Sequence, residues 1–263
     1  MFAGSLDPHA GSAEDMVRVP RRRDPEPEGS AVILCAGIGE RLRPLTLDRP
    51  KCMVDVGGVP LIARTIAALG RHGFSRLCVN LHYMPDAVTE YLGDGSRFGV
   101  EVRYSRESKL LGSAGGTKQF ERFLPQTFLV AYGDVLTNAD IGRLWHSHAL
   151  AQADATLLVH RSERPWECGV VEFNEDACVT SLVEKPARHA VTSDWVNSGV
   201  FVLDRSVLGL LALGENSDFS FDVFPAMLEA GRRIVAVPLV RDEYVIDIGT
   251  LAGLESARDR VAR

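Results

Sequence analysis

An apolar run, Ala31-Val32-Ile33-Leu34, breaks at once into the glycine loop Cys35-Ala36-Gly37-Ile38-Gly39. A buried strand feeding a glycine turn offers backbone N–H groups with no side chains in front of them, and phosphate oxygens are the ligands that fit such a nest. A basic cluster follows, Arg41, Arg43, Arg49 and Lys51. The loop therefore points to a nucleotide, with Leu34, Ala36, Gly37 and Gly39 as its candidate contacts.

Two commoner glycine loops fit poorly. The dinucleotide fingerprint needs a third glycine where Arg43 or Pro44 stands, and a P-loop needs a Gly-Lys-Ser/Thr ending that is missing. Asp55 lies near the spacing of a ribose-binding acid, but the missing glycine and the intervening lysine disfavour a nicotinamide oxidoreductase. What stands instead is Gly37-x-Gly39-x-Arg41-Leu42, then Pro44-Leu45-Thr46, then Pro50-Lys51. This series resembles the signature of the sugar-1-phosphate nucleotidyltransferases.

Along the chain, strand-like and helix-like patterns alternate. Helices are expected near 61–69, 84–92, 113–123 and 141–150, and strands at 77–81, 100–104 and 128–132. The run Phe128-Leu129-Val130-Ala131-Tyr132 is continuously apolar, as a central parallel strand is. Strands dominate later, at 156–160, 169–173, 179–183 and 196–203. Helices near 207–213 and 220–230, strands at 234–238 and 244–246, and a last helix from 250 complete the pattern. Such alternation implies an α/β fold, a Rossmann-like doubly wound, mixed but mainly parallel sheet. The family resemblance adds that this is a single-domain, glycosyltransferase-A-like nucleotidyltransferase fold.

At 263 residues and 46% hydrophobic content, one catalytic domain over 30–263 is expected. Its nucleotide-binding half covers about 30–150 and its sugar-phosphate-binding half about 151–263. Residues 1–29 carry little apolar content, with Arg21-Arg22-Arg23 beside an acidic and proline-rich block, and read as a disordered extension. No room follows for the hexapeptide-repeat β-helix of bifunctional relatives, so none is expected.

A formal charge of −6 gives no basic field for nucleic acid, so a bound nucleotide must be held by local cations. The five cysteines, Cys35, Cys52, Cys78, Cys168 and Cys178, show no paired spacing, and no apolar stretch reaches membrane-span length. Reduced thiols in a cytoplasm are expected.

Carboxylates recur at two strand ends. Tyr132-Gly133-Asp134 follows the strongest strand, and Asp247-Ile248-Gly249-Thr250 follows a late one. A lone aspartate at such a turn caps the next helix. Two at the ends of strands in one sheet suit Mg²⁺, which takes one or two carboxylates plus substrate phosphates. In the family, a Gly-Asp after a central strand and a late Asp-x-Gly-Thr supply the metal ligands, which here implies Asp134 and Asp247, with Gly133 beside the nucleotide. Leu111-Gly112-Ser113-Ala114-Gly115-Gly116 is similar to the family's base-binding stretch and implies nucleotide contacts at Gly112 and Gly115. Glu184-Lys185-Pro186 and Asn197-Ser198-Gly199 resemble its sugar-phosphate segments, implying Glu184, Lys185, Asn197 and Gly199. Cys35, Glu40, Tyr244 and Leu251 depart from the usual pattern without removing a charge the chemistry needs.

The resemblance implies condensation of a nucleoside triphosphate with a sugar- or cyclitol-1-phosphate, releasing pyrophosphate, with Arg41 and Lys51 as catalytic residues and Mg²⁺ as cofactor. The 51–54 and 111–116 segments favour GTP and a mannose- or heptose-type phosphate. Uridylyl or thymidylyl transfer to an amino-sugar or sugar 1-phosphate is the alternative, and a non-catalytic nucleotide-sugar-binding regulator is a third reading. A homodimer is the default assembly.

Overall fold

The computed structural model describes residues 29–262. The extension expected over 1–29 lies outside the described residues up to residue 28, and Gly29 already opens the first strand.

The chain runs β1 (Gly29–Leu34), α1 (Leu61–Arg71), β2 (Phe74–Leu81), α2 (Pro85–Leu92), β3 (Glu101–Arg106), α3 (Gly112–Lys118), β4 (Thr127–Tyr132) and β5 (Val135–Thr137). It continues with α4 (Ile141–Ala151), β6 (Ala155–Arg161), β7 (Gly169–Phe173), β8 (Val179–Glu184) and β9 (Trp195–Asp204). α5 (Phe224–Glu229), β10 (Ile234–Pro238), β11 (Val245–Asp247) and α6 (Leu251–Ala262) close the fold. The main sheet has the order β10-β6-β9-β4-β1-β2-β3, with β7 and β8 attached through β9. β4-β1-β2-β3 are parallel neighbours, and β9 is antiparallel to both β4 and β6.

The register of β1 explains its unbroken apolar sequence. Ala31 and Ile33 face one core with α1, α2 and α4, while Val32 faces the other with Phe128, Phe201, Phe219 and Phe224. A strand covered on both faces has no polar side to show. α1 begins behind Pro60 and turns Leu61, Ile62, Ile66 and Leu69 inward, as its helical spacing predicts.

Three expected helices change in detail. Residues 205–210 and 219–223 form tight and wide helical turns instead of regular helix, each entered through an aspartate, Asp204 or Asp218, that accepts from the following N–H groups. The expected helix over 113–123 stops at Lys118, after three glycines that give it little propensity.

β11 leaves the main sheet altogether and pairs antiparallel with β5, Asp247 opposite Val135. A third small core lies under this ribbon, built from Leu42, Val54, Val56, Leu61, Leu136, Ile248, Leu254 and Ala257. That core joins the segment after the glycine loop to the end of the chain. It is the reason Asp247 reaches the ends of β1 and β4.

Candidate active site

The glycine loop leaves β1 with its first amide held, since Cys35 N donates to Asn80 Oδ1 at 2.8 Å. Gly39 adopts φ +73°, a left-handed conformation that turns the chain sharply. A Cβ there would stand 3.1 Å from both Lys51 Cβ and Thr46 Cγ2, so glycine also lets the 46–51 segment close onto the loop. Thr46, buried, locks that closure by donating Oγ1 to Gly39 O at 2.8 Å.

Lys51 opens a short helical turn behind Pro50, and its ammonium is bonded to Asp134 Oδ2 and lies 3.9 Å from Asp247 Oδ1. On the far side, Arg41 Nη2 is 3.9 Å from Asp247 Oδ2. The two cations and two carboxylates predicted from separate stretches therefore share one cluster. Arg43 and Arg49 turn away and pair with Glu40 and Asp48 at the surface.

Asp134 follows Gly133, whose amide donates to Leu34 O at 2.9 Å. A Cβ at 133 would fall 2.5 Å from Cys35 Sγ, so this glycine lets β4's end pass against the loop. Asp247 is aimed by Ile248 N, which donates to Asp134 O, and by Gly249 N, which donates to its own Oδ1 at 2.6 Å. Desolvation, and then the charge of Asp134, push the Asp247 carboxyl above its ordinary range, against the pull of Lys51 and Arg41. Leu34, Cys35, Gly37, Gly39, Lys51, Cys52, Gly133 and Asp134 line one cleft; Ala36 is buried beside it.

A second cluster gathers at the end of β8. Glu184, at the end of β8, is raised above the usual carboxylate range by burial, with Lys185 opposing. Lys185 Nζ is 3.6 Å from Glu184 Oε1, yet the lysine is 60% exposed against 14% for the glutamate. Lys185 is held at φ +46°, uncommon for a residue with a side chain, while its amide donates to Cys168 O at 2.9 Å. Asn197 Oδ1 accepts from Gly199 N at 3.1 Å, and Gly199 turns its bare face to the Tyr132 ring. Tyr132 leads directly into Gly133-Asp134. Its hydroxyl, driven up chiefly by burial, feels Glu184 and Asp134 alike, and the Cys168 thiol, also raised by burial, feels Glu184 and Asp247. The two clusters are thus within electrostatic reach of the same groups.

Gly112 and Gly115 are placed differently. A Cβ on Gly112 would meet Ser217 O at 2.3 Å and one on Gly115 would meet Glu215 O at 2.3 Å. Ala114 N and Gly115 N both donate to Ser217 O. These glycines seat the 215–217 segment on α3.

Other residues carry no sequence signal of comparable strength. A Cβ on Gly249 would lie 2.7 Å from Asp247 Oδ1, 2.7 Å from Lys51 Nζ and 2.8 Å from Arg41 Nη2, at the centre of the cluster. One on Gly169 would lie 2.7 Å from Glu184 Oε2. Gly249 sits inside the late Asp-x-Gly-Thr, which is the clue to it; Gly169 reads as an ordinary strand residue.

The model of the family described as Nucleotidyl transferase matches residues 30–263. The chain belongs to that family. Within it, the chain is 32% identical over 233 residues to a UTP–glucose-1-phosphate uridylyltransferase of Synechocystis, covering 83% of this chain and 60% of that relative. It is 33% identical over 202 residues to a mannose-1-phosphate guanylyltransferase of Mycobacterium tuberculosis, covering 76% and 56%. The chain spans less than two thirds of the length of either. Among solved structures it is similar to HddC from Yersinia pseudotuberculosis complexed with GMP-PN, with a TM-score of 0.74 at 24% identity over 89% of this chain and 99% of that one. This likeness bears out the mixed, mainly parallel nucleotidyltransferase fold. Among the described residues no helix is long and apolar enough to cross a membrane.

Proposed function

We propose that the chain condenses a nucleoside triphosphate with a sugar-1-phosphate to give a nucleoside diphosphate sugar and pyrophosphate. The observation that carries the reading is the convergence of Arg41, Lys51, Asp134 and Asp247 beside the glycine loop. Both reactants are anions, so positioning and charge neutralisation are what the protein must supply.

A phosphate oxygen of the sugar-1-phosphate attacks the α-phosphorus, the new P–O bond forms, and the bond to the bridging β-phosphate oxygen breaks. Lys51 faces the α-phosphate, Arg41 steadies the departing β- and γ-phosphates, and Lys185 holds the sugar phosphate. Glu184 and Asn197 orient the sugar beside Gly199. The amides of Gly37 and Gly39 face the triphosphate, and the roles of Gly112 and Gly115 near the base rest on the resemblance alone.

Asp134 and Asp247 fit Mg²⁺: Lys51 already places one positive charge against both, and two hard oxygens are the set that ion takes when phosphates complete its shell. When bound there it would supply neutralisation between the reacting phosphates.

GTP is the favoured nucleotide. Its support is the 111–116 segment and the guanylyltransferase relative of M. tuberculosis; the uridylyltransferase relative of Synechocystis supports UTP as the alternative. The test is a pyrophosphate-release screen of the common nucleoside triphosphates against sugar and cyclitol 1-phosphates with Mg²⁺. Turnover with GTP and a mannose-type phosphate is expected. Nucleotide-sugar binding without turnover of any pair would replace the enzyme with a regulator.

A further inference from the structure

Behind the cleft, two buried polar side chains join the glycine loop to the segment before α3. Asn80, next to last in β2, is 2% exposed, and Glu107, just past β3, is 7% exposed; it is the one carboxylate among the buried polar side chains of the described residues. Their hydrogen bonds form a directed chain. Cys35 N donates to Asn80 Oδ1 at 2.8 Å, Asn80 Nδ2 donates to Glu107 Oε1 at 2.8 Å, and Leu111 N donates to Glu107 Oε2 at 3.0 Å. At one end is the first amide of the glycine loop. At the other is the residue that opens Leu111-Gly112.

The arrangement is costly to keep. A carboxylate is buried with both oxygens taken by neutral N–H groups; two apolar side chains would avoid its desolvation but would leave the amides of Cys35 and Leu111 without acceptors. Space has been cleared for it as well: a Cβ on Gly116 would stand 2.4 Å from Asn80 Nδ2 and 2.8 Å from Glu107 Oε1. What the pair provides, and packing alone would not, is an acceptor for one amide of each segment, joined by a hydrogen bond that fixes the separation between them.

We propose that Asn80 and Glu107 are positioning residues that set the spacing between the glycine loop and the 111–116 segment, so that the polarity of their hydrogen-bond chain governs nucleotide binding. This rests on the nucleotidyltransferase reading of the cleft. Both residues act through the backbone amides they hold.

The polarity makes a sharp test. In Glu107→Gln, a new NH₂ faces either Asn80 Nδ2 or Leu111 N, and turning either amide over only moves the donor–donor mismatch along the chain. In Asn80→Asp, two carboxylates face each other. In the double variant the chain is whole again but reversed in its middle link. The new carboxylate at position 80 accepts from Cys35 N and from the new side-chain amide at position 107, whose own oxygen accepts from Leu111 N.

The experiment measures, for wild type, both single variants and the double variant, the Kd for GTP and UTP by calorimetry, KM for each substrate, and Tm. Each single substitution is expected to weaken nucleotide binding about tenfold or more, the magnitude of one lost buried hydrogen bond. The double variant should return to within about threefold of wild type, with KM for the sugar phosphate steady throughout. Losses that simply add in the double variant, or equal losses for both substrates that track Tm, would overturn the positioning role while wild-type turnover leaves the reaction intact. Wild-type protein that binds neither nucleotide and turns over no pair would overturn both.

Discussion

At the end of β4, Lys51 stands between Asp134 and Asp247 and Arg41 lies against Asp247, so two cations face two carboxylates and this cluster is close to neutral before any ligand arrives. At the end of β8, Glu184 is desolvated and Lys185 reaches into solvent from a left-handed backbone. The first cluster pairs its charges among partly buried groups, with which a triphosphate would exchange partners in the proposed reaction. In the second, Glu184 has Lys185 as its counter-charge, but most of Lys185 lies in solvent, where a sugar phosphate would meet it in that reaction. The first cluster is therefore built by charge matching, the second by strain and desolvation.

Lys51→Ala is the largest expected perturbation of that contrast. It leaves Asp134 and Asp247 without the ammonium between them and removes the proposed contact to the α-phosphate, so pyrophosphate release should fall about 10²- to 10³-fold. A loss no greater than that of Lys185 variants would mean that the two clusters do not differ in this way.

Gly249→Ala comes next. Its methyl would intrude on Asp247, Lys51 and Arg41 together, and displacement of that order costs about 10² in rate. At Gly37, where an added Cβ meets nothing within 4 Å, alanine should leave stability unchanged in urea unfolding.

Lys185→Gly separates strain from function in the second cluster. Glycine takes a positive φ freely, so stability should hold or rise by at most about 1 kcal/mol by urea titration. KM for the sugar phosphate should rise about tenfold or more. A marked loss of stability would mean the φ at 185 is not strained.

Glu184→Gln is the smallest effect and the cleanest in sign. Burial raises the folded-state carboxyl above its unfolded value, so ionisation favours unfolding, and the penalty grows as pH rises from the unfolded through the folded value. The glutamine variant should therefore melt above wild type at neutral pH, with the gap closing as pH falls to about 4, near the unfolded carboxyl's own value. A gap that widens on acidification would reverse the sign.

Much of the first cluster is legible in the residues themselves. A glycine turn after an apolar strand, basic residues behind it and an aspartate after each of two strands are local patterns with local causes. The alternation of strand and helix likewise states the sheet. What stays hidden is non-local. Nothing in Val245-Ile246-Asp247 says that it leaves the main sheet to pair with β5, because a three-residue strand has no register of its own until Ile248 and Leu136 pack beneath it. Gly112 and Gly115 look like loop glycines made for a ligand, yet their bare faces are taken by the 215–217 carbonyls, a contact between segments far apart in sequence. Asn80 and Glu107 look like ordinary polar residues at strand ends; their meaning is a pairing that exists only once β2 and β3 lie side by side.

The β5–β11 ribbon has a consequence for biosynthesis. Every strand of the main sheet has been translated once β10 is made, but Asp247 is encoded later still. The last of the four charged groups in the proposed site is thus also the last to be synthesised, and the ribbon that places it closes only after every strand of the main sheet has been made.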